Sequence, residues 1–295
     1  TGNKTSAIVF VIEGYSYRPD MKVIFFILFI CIYITMVLGN LVILLVIDMD
    51  PVLHTPMYFF LRNLSFLEIC YTSLSVLRLL VNLLSSDTSI SFAGCAAQIY
   101  FFLLFGATEC CLLAAMAYDN YRAICNPLHY MDMSKKVCMQ LLSSSWICGN
   151  LVALGNSTFI FSLPFCGSNV INHFFCDIQP VLMLVCGDTC WNELQILLTA
   201  AFVILMPFLL ILVSYGFIIS SIIKVSSAKA RYKAFSTCFS HLTVVTLFYV
   251  TAVFIYIRPK SMYSLDVDKE LSLFCFVVTP ILNPVIYSLR NREVK

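Results

Sequence analysis

The chain of 295 residues is 60% hydrophobic and only 12% charged, with a mean hydropathy of +0.91. Soluble domains carry roughly 45–50% apolar and about 25% charged residues, so an ordinary soluble fold is excluded and a polytopic membrane protein is implied. The net charge of +2 is scattered over loops, which excludes the basic face that nucleic-acid binding requires.

Residues 1–22 read as a polar amino-terminal segment in which Asn3-Lys4-Thr5 is an N-x-T glycosylation acceptor if this end is luminal. Residues 23–47 carry no charge and, at about 1.5 Å per residue, cross a hydrocarbon core of about 30 Å with tilt; Asn40 lies in the inner half of this first span. The second span, 57–84, has Arg62 and Arg78 near its ends, where they can snorkel, and Glu68 near its middle. The third, 95–117, contains a single formal charge, Glu109, and is expected to stop as the chain reaches Asp119. The fourth, 137–163, includes Asn156-Ser157-Thr158, a sequon discounted because it sits at membrane depth. A long connection, 164–193, is rich in cysteine and free of Lys and Arg. The fifth span, 194–223, is expected to be broken by Pro207; the sixth covers 235–257 and the seventh 271–289. The expected division is thus an outer segment 1–22, a bundle 23–289 and a cytoplasmic remnant 290–295, with trimming at one or both ends because Thr1 is not an initiator.

Seven spans put the two ends on opposite sides. Ten Lys and Arg flank the carboxyl-terminal side against six on the other, so the positive-inside rule places the amino terminus outside. The cysteine-rich connection then lies in an oxidising compartment, and Asn3 becomes a credible glycan site.

Glu68 and Glu109, with Asn40 and Asn283, are polar groups at membrane depth. A charge there costs roughly 2.5–3.5 kcal/mol on insertion scales, so these side chains are expected to face the bundle interior. Two carboxylates with no intramembrane Lys or Arg nearby in sequence imply that one is protonated, or that water or a cation screens them. Such groups form an ion path in a transporter, a hydrated network in a receptor, or a satisfied polar core with no titrating role. On the outer side lie Cys95, Cys166, Cys176, Cys186 and Cys190, and sequence alone leaves their connectivity open. The absence of a nucleophile elbow, a phosphate-cradling glycine loop, a zincin helix or a paired acid and base argues against an enzyme. Without a selectivity-filter loop or a visible inverted repeat, channel and transporter readings also recede.

The stretch Met116-Ala-Tyr-Asp119-Asn120-Tyr121-Arg122-Ala-Ile-Cys125 closely resembles the third-span signature of vertebrate odorant receptors, which normally reads M-A-Y-D-R-Y-V-A-I-C. Further resemblances are P-M-Y-F-F-L-R-N-L-S-F-L-E at the start of the second span, Ser214-Tyr215 in the fifth, K-A-F-S-T-C-F-S-His241 in the sixth, and the N-P-x-x-Y element Asn283-Pro284-Val-Ile-Tyr287 in the seventh. These motifs cover nearly the whole chain and resemble the tetrapod-type, class II-like members of this rhodopsin-like, G-protein-coupled family. The resemblance implies an all-α seven-helix bundle in the plasma membrane. It further implies a receptor for small hydrophobic volatile odorants that activates a stimulatory, olfactory-type G protein to raise cyclic AMP, with no cofactor. It assigns coupling and activation to Asp119, Asn120, Tyr121, Tyr215, His241, Asn283, Pro284 and Tyr287, and disulfides to Cys95–Cys176 and Cys166–Cys186, leaving Cys190 as an extra thiol. With Cys176 so bonded, His173 and Asp177 of His173-Phe-Phe-Cys176-Asp177 are too few for a closed metal site, and no metal is expected.

Aligning the motifs by helical turns places Phe102, Leu103, Gly106, Thr199, Val203, Ala252, Tyr256 and Phe276 around an outer-half cavity. Only Thr199 and Tyr256 supply polar handles and no acid is present to pair an amine, so the expected ligand is small, neutral and mostly hydrophobic. One departure bears on coupling: Asn120 stands where the family has its arginine. Arg122 is about 200° further round the helix and is not an equivalent replacement. The alternative is therefore a folded, odorant-receptor-like protein that does not couple, with a membrane transporter behind it.

Overall fold

The computed structural model describes residues 9–14, 19–85, 87–127, 134–166 and 168–257, together with 267, 269–271, 273, 274 and 286. Its helices are α1 (Pro19–Met49), α2 (Pro56–Leu84), α3 (Phe92–Cys125), α4 (Lys135–Phe161), a short α5 (Ile178–Leu182), α6 (Cys190–Lys224) and α7 (Ala228–Tyr256). Among the described residues, six of these are long and apolar enough to cross a membrane, α5 being the exception. Most of the expected seventh span, 271–289, lies outside the described residues.

Two helices differ from expectation. The third span was expected to end at 117, yet α3 continues to Cys125 and carries Asp119, Asn120, Tyr121 and Arg122 on helical backbone. Polar side chains end burial in hydrocarbon, but they do not end a helix unless a cap or breaker follows, and here the break comes at Asn126-Pro127. The fifth span was expected to break at Pro207, yet α6 runs through it. Proline removes one donor there, but apolar sequence on either side leaves the backbone no other way to satisfy its hydrogen bonds in lipid.

Helix α3 sits at the centre, packed against α2, α4, α6 and α7. Leu112, Leu113, Met116 and Ala117 of α3 are buried with Ile211, Tyr215 and Ile218 of α6 and Val244, Val245 and Tyr249 of α7. Tyr249 Oη donates to Cys110 O at 2.9 Å, tying α7 to α3. Where α4 crosses α3 the backbones nearly touch: a Cβ on Gly149 would lie 2.2 Å from Thr108 Oγ1 and 2.7 Å from Leu104 O. By contrast α1 and α6 expose Ile24, Leu45, Phe202, Leu210 and Val213, as helices facing acyl chains do.

The end of the bundle nearest the amino terminus is roofed. Strand β1 (Val9–Ile12) pairs antiparallel with β2 (Ser89–Ser91) and parallel with β3 (Val170–Ile171), in the order β2-β1-β3. The segment expected to be merely polar thus buries Phe10 and Ile12 against Cys95, Ile99, Ile171 and Cys176. Arg78 does not simply snorkel from α2, since its NH2 group donates to Thr88 O and Ser89 O at 3.2 and 2.9 Å and fastens the β2 arm.

Candidate functional site

A cavity of about 90 Å³ lies among α2, α3, α4, α6 and α7, with Ile178 of α5 on its wall. Phe102, Leu103 and Gly106 enter it from α3, Thr199 and Val203 from α6, and Ala252 and Tyr256 from α7, so the structure brings these seven expected positions to one space. Phe276 lies outside the described residues. Helical register explains the grouping: 106 lies four residues from 102 and three from 103, while 199 and 203, and 252 and 256, are four apart, so each set shares a face. Phe102 anchors the wall, its ring centroid 5.4 Å from those of both Tyr71 and Phe175 and 6.4 Å from that of Tyr256.

No acidic or basic side chain lines the cavity among the described residues. Thr199 is less available than its sequence suggested, because its Oγ1 already donates to Gln195 O at 2.9 Å. Sequence reasoning missed Asn156, which lines the cavity from α4 and is 5% exposed. Its only sequence signal is an amide in an apolar span, within a sequon at membrane depth.

The expected polar core separates into two parts. Asn40 is buried and donates through Nδ2 to Met36 O within α1, at 3.1 Å. Glu68 of α2 and Glu109 of α3 are each 1% exposed and their carboxyl groups face each other between the two helices. Neither carboxylate lines the cavity.

At the far end, Asn120, Tyr215 and His241 meet. Asn120 Nδ2 donates to Tyr215 Oη at 3.3 Å, and that hydroxyl is hydrogen-bonded to His241 Nδ1 at 2.8 Å. One chain of contacts therefore joins α3, α6 and α7, all three residues being buried. Asp119 is also buried, whereas Arg122 is half-buried. Tyr121 packs on Phe217, with ring centroids 5.8 Å apart, and Ser221 Oγ donates to Cys125 Sγ at 3.1 Å, so the last turns of α3 lie along α6. Asn283, Pro284 and Tyr287 lie outside the described residues.

In the roof, Cys95 is bonded to Cys176 and Cys166 to Cys186, with Cα–Cα separations of 5.5 and 5.7 Å. Cys190 is a free, exposed thiol at the start of α6. Gln98 Oε1 accepts from Cys176 N at 3.0 Å, securing the loop to α3 beside the disulfide. Asp177 caps α5, its Oδ1 accepting from Ile178 N at 2.7 Å. Burial pushes the Asp177 carboxyl up to about 6 although that N–H favours its ionised form. Burial pushes the His173 imidazole down to about 4, with the Lys269 ammonium adding to the effect. Lys269 itself donates to Asn172 Oδ1. Asn3 lies outside the described residues.

The olfactory receptor family profile matches residues 29–295. Human olfactory receptor 10C1 is 57% identical over 100% of this chain and 95% of its own length, and human olfactory receptor 10A5 is 51% identical over 100% and 93%. Mouse olfactory receptor 5AR1 is 48% identical over 99% of this chain and 95% of its own length. The chain therefore belongs to the olfactory receptor family, which is a family of rhodopsin-like, seven-helix, G-protein-coupled membrane receptors for odorants and not a family of enzymes.

Proposed function

We propose that this chain is an odorant receptor of the plasma membrane that takes a small, neutral, mostly hydrophobic volatile ligand into the cavity beside α3 and activates a stimulatory G protein to raise cyclic AMP. The observation that carries the ligand class is the cavity wall, which among the described residues offers apolar side chains and a few neutral polar ones but no charge to pair with an ionised ligand. In this reading residues 1–22, with a glycan on Asn3, face outward, 23–289 form the bundle, and 290–295 are cytoplasmic. Phe276 completes the cavity wall, while Asn283, Pro284 and Tyr287 act with Asp119, Tyr121, Tyr215 and His241 in activation.

A second reading is favoured by one residue. Asparagine at 120 is shorter than arginine, uncharged and unable to make a bidentate contact with a partner, and its amide is engaged with Tyr215. The test measures odorant-evoked cyclic AMP per receptor at the cell surface for the native chain, Asn120→Arg, and Asn120→Arg with Arg122→Val. A native response establishes coupling, and a larger response from both variants assigns the deficit to residue 120. Normal surface levels with no response from any of the three would overturn stimulatory coupling. Equal responses from all three would show that Asn120 is no obstacle. A Gly106→Val variant adds the cavity control: only Tyr71 Oη, at 3.8 Å, approaches a Cβ there, so the larger side chain should fit, fill space and change odorant potency without lowering surface level.

A further inference from the structure

Asn156 combines three properties that no other side chain on the cavity wall shares among the described residues. It is 5% exposed, it lines the cavity, and its Oδ1 accepts no hydrogen bond from the described residues. The identity of the free end is fixed by its neighbour: the other amide atom lies 2.9 Å from Val152 O, and a carbonyl oxygen can only accept, so that atom is Nδ2. What remains is a buried carbonyl oxygen with lone pairs to satisfy, in a wall whose other described side chains are mostly apolar. Thr199 reinforces the bias, since its proton is given to Gln195 O and only lone pairs are left for a ligand. Tyr71 and Tyr256 also line the wall and a hydroxyl both donates and accepts, so the selection rests on Asn156: a ligand without a donor leaves its buried acceptor unsatisfied.

We propose, building on the odorant-binding reading of this cavity, that Asn156 determines specificity and that the receptor selects volatile alcohols and phenols whose hydroxyl donates to Asn156 Oδ1. Other donors fit less well. Among the described residues, an amine entering as a cation finds no acid on the wall to pair it, and a carboxylic acid entering as an anion finds no base. A thiol is a weak donor. Aldehydes, ketones, esters and ethers can accept from a tyrosine hydroxyl but place a second acceptor against Asn156 Oδ1.

The test uses purified receptor in lipid nanodiscs, with the thermal unfolding midpoint as a binding readout that does not depend on coupling. Probes are the straight-chain alcohols from hexanol to decanol, 2-phenylethanol and 4-ethylphenol, each beside its methyl ether and the hydrocarbon lacking the oxygen. One or more hydroxyl compounds should raise the native midpoint at concentrations about tenfold lower than their ethers and hydrocarbons. Asn156→Leu, close in volume, should remove that preference, whereas Ser157→Ala, at a buried position outside the cavity wall, should retain it. Without any probe, Asn156→Leu should unfold no earlier than the native chain, because it removes a buried acceptor that has no partner. A marked fall in that midpoint, or failure to fold, would mean that Oδ1 is bonded within the protein, and the inference would be wrong. Ethers or hydrocarbons as effective as alcohols on the native chain, or an alcohol preference that survives Asn156→Leu, would overturn the role of Asn156 and leave the cavity as the binding site. No shift from any probe would overturn the cavity reading and this inference with it.

Discussion

Tyr215 holds two buried partners with one hydroxyl, accepting from the Asn120 amide at 3.3 Å and bonding His241 Nδ1 at 2.8 Å. Its removal strands both, and a buried polar group without a partner costs about 1–3 kcal/mol, more than the net gain from making the bond. Tyr215→Phe should therefore lower the unfolding midpoint of the purified receptor. Tyr215→Phe combined with His241→Phe should cost less than the sum of the single changes, because the second substitution removes one of the stranded groups. A purely additive pair would deny the coupling between these two side chains. The sequence named Asn120, Tyr215 and His241 one by one through motif positions on three spans, and their meeting is a property of the helix crossings that no single motif encodes. Asn156 shows the opposite case. Its residue type was visible, but its meaning depends on which amide end Val152 takes and on which face of α4 meets the cavity, and both are tertiary facts.

At the scale of the helices, legibility follows from lipid. Long apolar runs leave the backbone no alternative to internal hydrogen bonding, so the described spans are legible from composition except at the end of α3 and at Pro207, where neither polar side chains nor proline ends the helix. The β2-β1-β3 sheet was not legible: its strands have two to four residues, too short for a period, and they pair positions as distant as Val11 and Val170. Nor did sequence distinguish one glycine of α4 from another. Gly149 faces backbone of α3, and an added methyl group would meet Leu104 O at 2.7 Å, whereas nothing lies within 4 Å of a Cβ on Gly155. Gly149→Ala should force α3 and α4 apart at a cost of about 1–3 kcal/mol, seen as lower surface expression and a lower unfolding midpoint. Gly155→Ala should be neutral or stabilise by up to about 1 kcal/mol through helix propensity. Equal effects of the two would mean that the crossing is looser than these distances state.

For the whole molecule, the roof joins chain segments that are far apart in sequence and places Ile178 of α5 on the cavity wall, so the protonation of its buried groups bears on the binding end of the bundle. His173 and Asp177 are shifted in opposite directions. His173 falls from an ordinary 6.5 to about 4, so between those values the unfolded chain binds the extra proton and stability rises with pH. Asp177 rises from an ordinary 3.8 to about 6, so over that interval the folded chain binds the extra proton and stability falls as pH rises. Between about 4 and 6 the two dependences oppose each other, and the intact receptor should be nearly indifferent to pH as far as these groups decide it. Each single substitution should unmask the other group. Asp177→Asn keeps an acceptor for Ile178 N but leaves His173 alone, so its unfolding midpoint should drop as pH is lowered from 6.5 towards 4. His173→Phe leaves Asp177 alone, so its midpoint should climb over the same acidification, by an amount on the order of 2–3 kcal/mol in either direction. Thermal unfolding from pH 4 to 7.5 of the native receptor and both variants in nanodiscs would read all three slopes. Parallel profiles would show that these two groups do not set the acid response of the roof.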